Sequence, residues 1–214
     1  MFEYNRYLNY FRSKKELRSF ILEDGRGSVI VSAPHSAEQT REGRPKVGEY
    51  VTGVLARMLH DRLGCPVIYK TRHCFDDANY DEKCEYKAAL REYVSGHGIT
   101  ALIDLHQMSA KRDENIDIGT CYGKNVEKDP TVVDKAVSCF ERNGIDGVFI
   151  DEPFASIHPF TVSSYISREC GIPCIQIEIN TRLLLTRFKD ECYKKVLKAL
   201  SELVTELNAE GAER

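Results

Sequence analysis

Two histidines close apolar runs in this chain: His35 follows Ser28-Val29-Ile30-Val31-Ser32-Ala33-Pro34, and His106 follows the run Ile99 to Leu105. Short apolar runs bounded by turn residues read as buried parallel strands, and ligands of open α/β sheets sit beyond the carboxyl ends of such strands. Two imidazoles at equivalent strand ends could give two nitrogens to one divalent ion. Catalytic zinc takes three protein ligands and keeps one position open, and two histidines with one carboxylate form a common set. Two residues compete for the third place. Glu38 completes an H-x-x-E pattern with His35, and Glu49, at the start of a following helix, could reach back over the strand end. Either histidine alone also reads as a strand-end residue satisfied by backbone, and either glutamate as an exposed or helix-capping carboxylate; the metal reading rests on the set. Asp104 shares a strand face with His106 and is either a core carboxylate or the group that orients that ring.

A third run, Cys174-Ile175-Gln176-Ile177-Glu178-Ile179-Asn180, puts Glu178 on one face with Gln176 and Asn180. Burying a carboxylate among isoleucines costs free energy unless it has a partner or a use. Beside an activated water it can act as general base, and later hand the proton to a leaving amine. The alternative is a structural pair with Arg182 or Arg72. Arg41, Arg44, Arg72 and Arg182 lie in loops near these strand ends and could hold a substrate carboxylate through paired hydrogen bonds, though each alone also reads as a solvated charge. His158, between two prolines, could contact substrate or lie at the surface. His60, His73 and His97 carry no comparable context.

Positioning these groups needs alternating strands and helices. Leu17, Phe20 and Ile21 predict a short helix over Ser13 to Glu23; a strand follows from Ser28 to Ala33, then a polar loop from Ser36 to Lys46. Further helices are expected from Gly48 to Leu63, Glu82 to Val94, Pro130 to Arg142, Thr161 to Glu169 and Arg187 to Leu207. Strands are expected at Cys65 to Lys70, Ile99 to His106, Ile116 to Tyr122, Val148 to Ile150 and Ile175 to Asn180. Such alternation is the pattern of an α/β sheet with mainly parallel strands.

No linker-like composition divides residues 1–214, so one domain is expected. The net charge of -3 and the absence of a basic stripe argue against nucleic acid as a partner. The first 24 residues lack the apolar core of a signal peptide and no later run approaches a membrane span, so a cytoplasmic protein without membrane contact is expected. Eight cysteines contain no C-x-x-C pair and read as reduced thiols. Cys74 and Cys121 lie nearer the site, but without a basic partner to make a nucleophile.

The ordered motifs resemble the N-formylglutamate amidohydrolase family, of the zinc-carboxypeptidase-like class with a phosphorylase/hydrolase-like fold. Pro34-His35-Ser36 resembles the family's P-H-S-G, Asp104-Leu105-His106 its D-x-H, and Gln176 to Asn180 its Q-x-E-I-N. Arg72 with Asp77-Ala78-Asn79 resembles its R and D-L-N, and Asn115 to Thr120 its D-x-N-L-G-T. The resemblance implies a three-layer α/β/α fold with a mainly parallel mixed sheet, and one zinc ion held by His35 and His106. It implies Glu178 as the catalytic carboxylate. A small substrate is expected to be contacted from among Arg44, Arg72, Asn79, His158 and Arg182. The family's acidic residue at the helix start resembles Glu49, whereas the carboxypeptidase H-x-x-E pattern favours Glu38; the long loop and a helix match running through Leu55 favour Glu49. Ala37 replaces the glycine of P-H-S-G, and the glycine pair expected near Ile157-His158 is missing, departures that bear on substrate more than on chemistry. The expected activity is hydrolysis of a C–N amide bond in a small N-acyl amino acid. Its rivals are a small zinc carboxypeptidase, a non-catalytic protein that binds a small acid, and a cysteine hydrolase using Cys74 or Cys121.

Overall fold

The computed structural model describes residues 2–185 and 190–211. In chain order the elements are α1 (Phe2–Ser13), β1 (Phe20–Glu23), β2 (Val29–Ala33), β3 (Gln39–Arg41), β4 (Arg44–Lys46), α2 (Tyr50–Leu63), β5 (Val67–Lys70) and α3 (Glu85–Gly96). Then come β6 (Ala101–Met108), β7 (Ile116–Gly119), α4 (Thr131–Arg142), β8 (Val148–Ile150), α5 (Val162–Cys170), β9 (Cys174–Asn180), α6 (Thr181–Leu184) and α7 (Asp190–Gly211). Seven strands form one sheet in the order β1-β5-β2-β6-β9-β7-β8. Strands β5, β2, β6 and β9 run parallel; β1 pairs antiparallel with β5, and β7 antiparallel with β9. The sheet is thus mixed and mostly parallel, with helices on both faces.

The two faces of the central strands divide the work. Val29 and Val31 of β2, Ile103 and Leu105 of β6, and Ile175, Ile177 and Ile179 of β9 pack under α1, α2, α4 and α7. Each such aliphatic side chain contributes about 1.5–3 kcal/mol when fully buried, which offsets the cost of what the other face carries. There Ile30, Leu102 and Cys174 pack against α3 and α5. Two residues further along each strand, that face turns polar while staying buried: Ser32, then Asp104 and His106, then Gln176 and Glu178. The polar half of this face forms the floor of the site.

Three sequence expectations are corrected. The segment Ser13 to Glu23 is not a helix. Leu17 is 82% exposed, and Phe20 and Leu22 pack on one side of β1 while Ile21 packs on the other, as a strand requires. The helix lies upstream, where Tyr4, Tyr7, Leu8 and Phe11 bury one face against the core. The Ser36 to Lys46 loop contains the β3–β4 hairpin, turned by Glu42 and Gly43, both at positive φ as a two-residue turn of this hand needs. Strand β6 does not stop at His106 but continues through Met108, still paired with β9. The other expected elements are present within a few residues of their predicted bounds. Residues 187–189 of the last expected helix lie outside the described residues. Among the described residues no helix is long and apolar enough to cross a membrane.

Candidate metal centre

Parallel pairing of β6 with β9 sets His106 directly beside Glu178 and Asp104 beside Gln176, so all four side chains project from one face. His35 follows β2, the neighbour of β6 on its other side, and its ring meets that of His106 edge-on with centroids 4.7 Å apart. Glu49 is the residue just before α2, where a side chain would ordinarily cap the helix, yet it makes no capping bond. Its backbone N–H donates to His35 O at 2.7 Å and its carbonyl accepts the Thr52 N–H, which fixes the turn. The freed carboxylate points into the site, with Oε1 3.1 Å from His35 Nδ1 and Oε2 3.5 Å from His106 Nδ1. Oε2 also accepts the Gln107 N–H at 2.9 Å. One ligand atom from each of His35, Glu49 and His106 lies within 4.8 Å of the others.

The far nitrogens of both rings meet buried carboxylates. His35 Nε2 lies 2.8 Å from Asp77 Oδ1, and His106 Nε2 lies 3.1 Å from Asp104 Oδ2. A carboxylate only accepts, so each Nε2 carries the hydrogen and each Nδ1 turns toward Glu49. Asp77 is held ionised: burial raises its pKa, but His35 and Arg41, whose Nε donates to Oδ2 at 2.8 Å, bring it well below the usual range. Burial likewise opposes the charge on Glu49, and the two imidazoles reverse the balance and lower it. For His35, burial is outweighed by Glu49 and Asp77, and for His106 by Asp104 and Glu49, so both rings are raised. Glu178 goes the other way, pushed up chiefly by burial; its side chain is 8% exposed, and Gln176 Nε2 donates to it at 3.2 Å. Two imidazole nitrogens with carboxylates behind them, and one carboxylate between, make a donor set that fits a divalent metal.

A cavity of about 720 Å³ opens over this floor. Arg41, Lys46 and Arg112 line it, with Tyr80 and His158 stacked face to face at 4.7 Å. Asn79 and Glu178 also line it. Asn79 also has partners within the fold: its Oδ1 accepts the Val162 N–H at 2.7 Å, and its Nδ2 lies 3.4 Å from Gln176 Oε1. One wall is the loop 151–158, pinned by Asp117, which accepts the Glu152 and Phe154 N–H groups at 3.1 and 2.6 Å.

Several sequence candidates lie elsewhere. Glu38 accepts from the Tyr50 hydroxyl at 2.6 Å and pairs with Lys14, outside the cluster. Arg182 gives its guanidinium to Asn115 Oδ1 and to the carbonyls of Arg112, Asp113 and Glu114. Arg72 reaches Leu17 O at 3.3 Å, and Arg44 is exposed on β4; none of these three lines the cavity. The eight cysteines are free. Asp77 and Arg112 were not read as functional from the sequence. The only signal for Asp77 was its place in the Asp77-Ala78-Asn79 motif, and Arg112 had none.

Comparisons with known proteins bear on the fold and on part of the chain. No curated protein sequence matches the chain. Similar solved structures include the N-formylglutamate amidohydrolase of Ralstonia eutropha JMP134, with 17% identity over 90% of this chain and 99% of that one, TM-score 0.64. They also include a bacteriophage poly-gamma-glutamate hydrolase, with 13% identity over 94% of each chain and TM-score 0.57. A metallo-carboxypeptidase of Burkholderia cenocepacia has 12% identity over 98% of this chain and 69% of that one, TM-score 0.51. At these identities the likeness is one of fold. The family model that matches covers residues 83–185, a segment containing His106 and Glu178, while His35 and Glu49 are brought to them by the fold. The resemblance read from the motifs therefore stands, and the family whose likeness this chain carries over that segment is that of the N-formylglutamate amidohydrolases.

Proposed function

We propose that the protein is a zinc-dependent amidohydrolase acting on a small N-acyl amino acid. The observation that carries the reading is the convergence of His35 Nδ1, His106 Nδ1 and the Glu49 carboxylate at the base of a cavity, with Glu178 on the adjacent strand. In this reading His35, His106 and Glu49 hold one zinc ion, which supplies Lewis acidity toward the amide carbonyl and the attacking water. Glu178 takes a proton from that water as the new C–O bond forms, then delivers it to the nitrogen as the C–N bond breaks. Its raised pKa suits a group that must both accept and release a proton near neutrality. Asp77 and Asp104 hold the two rings with Nδ1 turned inward. Arg41 and Arg112 are the cavity's guanidinium groups and the natural grips for a substrate carboxylate, with His158 stacked on Tyr80 in the same lining. In this reading residues 1–214 act as one domain in the cytoplasm.

A second reading, a small carboxypeptidase that cleaves at the end of a longer chain, is favoured by the size of the cavity. Zinc-loaded protein purified without an affinity tag should release amino acid from one or more of a panel of N-formyl, N-acetyl and N-succinyl amino acids, and chelation should abolish this. Glu178→Gln should lower kcat by about 10²–10⁴-fold. Tag-free protein with no bound divalent ion, together with hydrolysis unchanged in Glu178→Gln, would overturn the proposal.

A further inference from the structure

A second cavity of about 370 Å³ adjoins the first, and Ile157 lines both. Ile157 is 64% exposed, at the crest of the loop whose next residues divide, His158 facing the first cavity and Pro159 the second. This crest is fastened rather than loose. Asp117 holds the backbone at 152 and 154, Ser164 Oγ donates to Ser156 O at 2.7 Å, and the Ser156 hydroxyl lies 2.9 and 2.7 Å from those of Thr161 and Ser163. The second cavity is therefore a standing feature of the surface.

Its charge continues that of the first. Lys46 and Arg112 at the first cavity and Lys124 and Lys128 at the second have no carboxylate within ion-pair distance among the described residues. Arg168 also lines the second cavity and is paired with Glu169, and the one carboxylate in that lining is the exposed Glu127. Unpaired cations on both sides of a fixed crest make a track for an anion longer than one residue. The first cavity alone already lies in the range that encloses drug-sized ligands, so a single small N-acyl amino acid would leave much of it to solvent.

We propose that the second cavity is a distal subsite for an acidic peptide chain. The scissile amide lies over His35 and His106, the chain crosses Ile157, and carboxylates further along meet Lys124 and Lys128. This rests on the amidohydrolase reading and goes beyond it in substrate: an N-acylated oligomer of acidic amino acids is preferred over the single acylated residue.

The test uses the full chain loaded with zinc and N-formylated glutamate oligomers of one, two, four and six residues, in α-linked and γ-linked series. Binding is read by anisotropy of dye-labelled oligomers, and KM by amine release. In wild type, binding should tighten and KM fall with length in at least one linkage series. Lys124→Glu/Lys128→Glu should weaken the six-residue oligomer about three- to tenfold and bring the ratio between long and short substrates toward one. Lys15→Glu/Lys198→Glu has the same change in net charge at residues lining neither cavity, and should keep the wild-type ratio. Length-independent binding in both series, or equal weakening by the control variant, overturns the subsite even where single residues are hydrolysed. Length-dependent binding lost only in Lys124→Glu/Lys128→Glu supports the subsite; failure to hydrolyse any oligomer would then count against the amidohydrolase reading alone.

Discussion

Replacing Asp77 by asparagine tests how the proposed metal centre is held without touching a proposed ligand. Asp77 is fully buried, and its two oxygens have separate partners: Oδ1 faces His35 Nε2 at 2.8 Å and the Asn79 N–H at 3.0 Å, while Oδ2 faces Arg41 Nε at 2.8 Å. Asparagine keeps the volume but offers one oxygen and one NH₂. If its oxygen faces His35, the NH₂ meets the Arg41 N–H donor to donor, and the buried charge pair is lost. If the NH₂ faces His35, Nε2 must accept, and the ring hydrogen moves to Nδ1, where it blocks the lone pair needed by a metal. Either arrangement weakens the centre, and loss of a carboxylate behind a metal-bound histidine costs about 10–100-fold in affinity. That range equals about 1.4–2.7 kcal/mol. Zinc affinity is measured by competition with a chromophoric chelator, with circular dichroism to verify the fold. A folded Asp77→Asn variant whose affinity lies within about twofold of wild type would refute the assignment of His35 Nδ1 as a ligand atom held by Asp77.

Three further outcomes are expected. Glu49→Gln should lower zinc affinity by at least about tenfold and Glu38→Gln should leave it unchanged; the reverse order in the same competition assay would return the third place to Glu38. Glu178 is protonated more readily in the fold than in the unfolded chain, so with metal removed its contribution to stability is greatest below the unfolded value near 4.3 and declines as pH rises toward its raised folded value. Glu178→Gln removes this decline. Its stability relative to wild type, from urea unfolding in chelator, should therefore grow between pH 5 and pH 8 by about 1.4 kcal/mol for each unit of upward shift, and a constant difference across that window would contradict the burial argument. A Cβ at Gly119 would lie 2.3 Å from Phe154 O, so Gly119→Ala must displace the cavity wall; it should raise KM for small acyl amino acids more than it lowers zinc affinity, and unchanged KM would mean that this wall does not touch substrate.

The sequence was most informative where one strand carries both packing and chemistry. His106, Glu178 and His35 each follow or interrupt an apolar run, and the same run that marks the strand also says where its polar end falls. From residue spacing alone Glu49 was one of two candidates, and only the family likeness favoured it, because the distinction lies in the turn: its N–H bonds His35 O, so its side chain leaves the cap position and enters the site. Glu38 is nearer His35 in sequence, but it follows the turn outward to Tyr50 and Lys14. The cationic lining was legible least. Arg182 sits three residues from β9's Ile179 and looks poised for substrate, yet the loop Arg112 to Asn115 turns its carbonyls toward the guanidinium and consumes it. Arg41 reaches the site only because an unforeseen hairpin returns it across Asp77. Such outcomes depend on backbone direction in loops, which no periodicity encodes.

The division of each central strand into a packed face and a chemical face also explains why this site tolerates so many buried charges. Asp104, His106, Gln176 and Glu178 share one face of β6 and β9, and a slip of one residue between these strands would part His106 from Glu178 while turning isoleucines into the cavity. The register is held from the opposite face, where Ile103, Leu105, Ile175, Ile177 and Ile179 are fully buried beneath α1, α2, α4 and α7. A truncation there, such as Ile177→Ala, should cost about 2–5 kcal/mol of stability without changing any group that faces the cavity. If chemistry depends on register held by that layer, the variant's kcat at low temperature, where it is still folded, should stay near wild type, and the loss should appear as a lower unfolding temperature. A large fall in kcat in the folded variant would mean that the aliphatic layer tunes the site directly rather than only holding its strands in place.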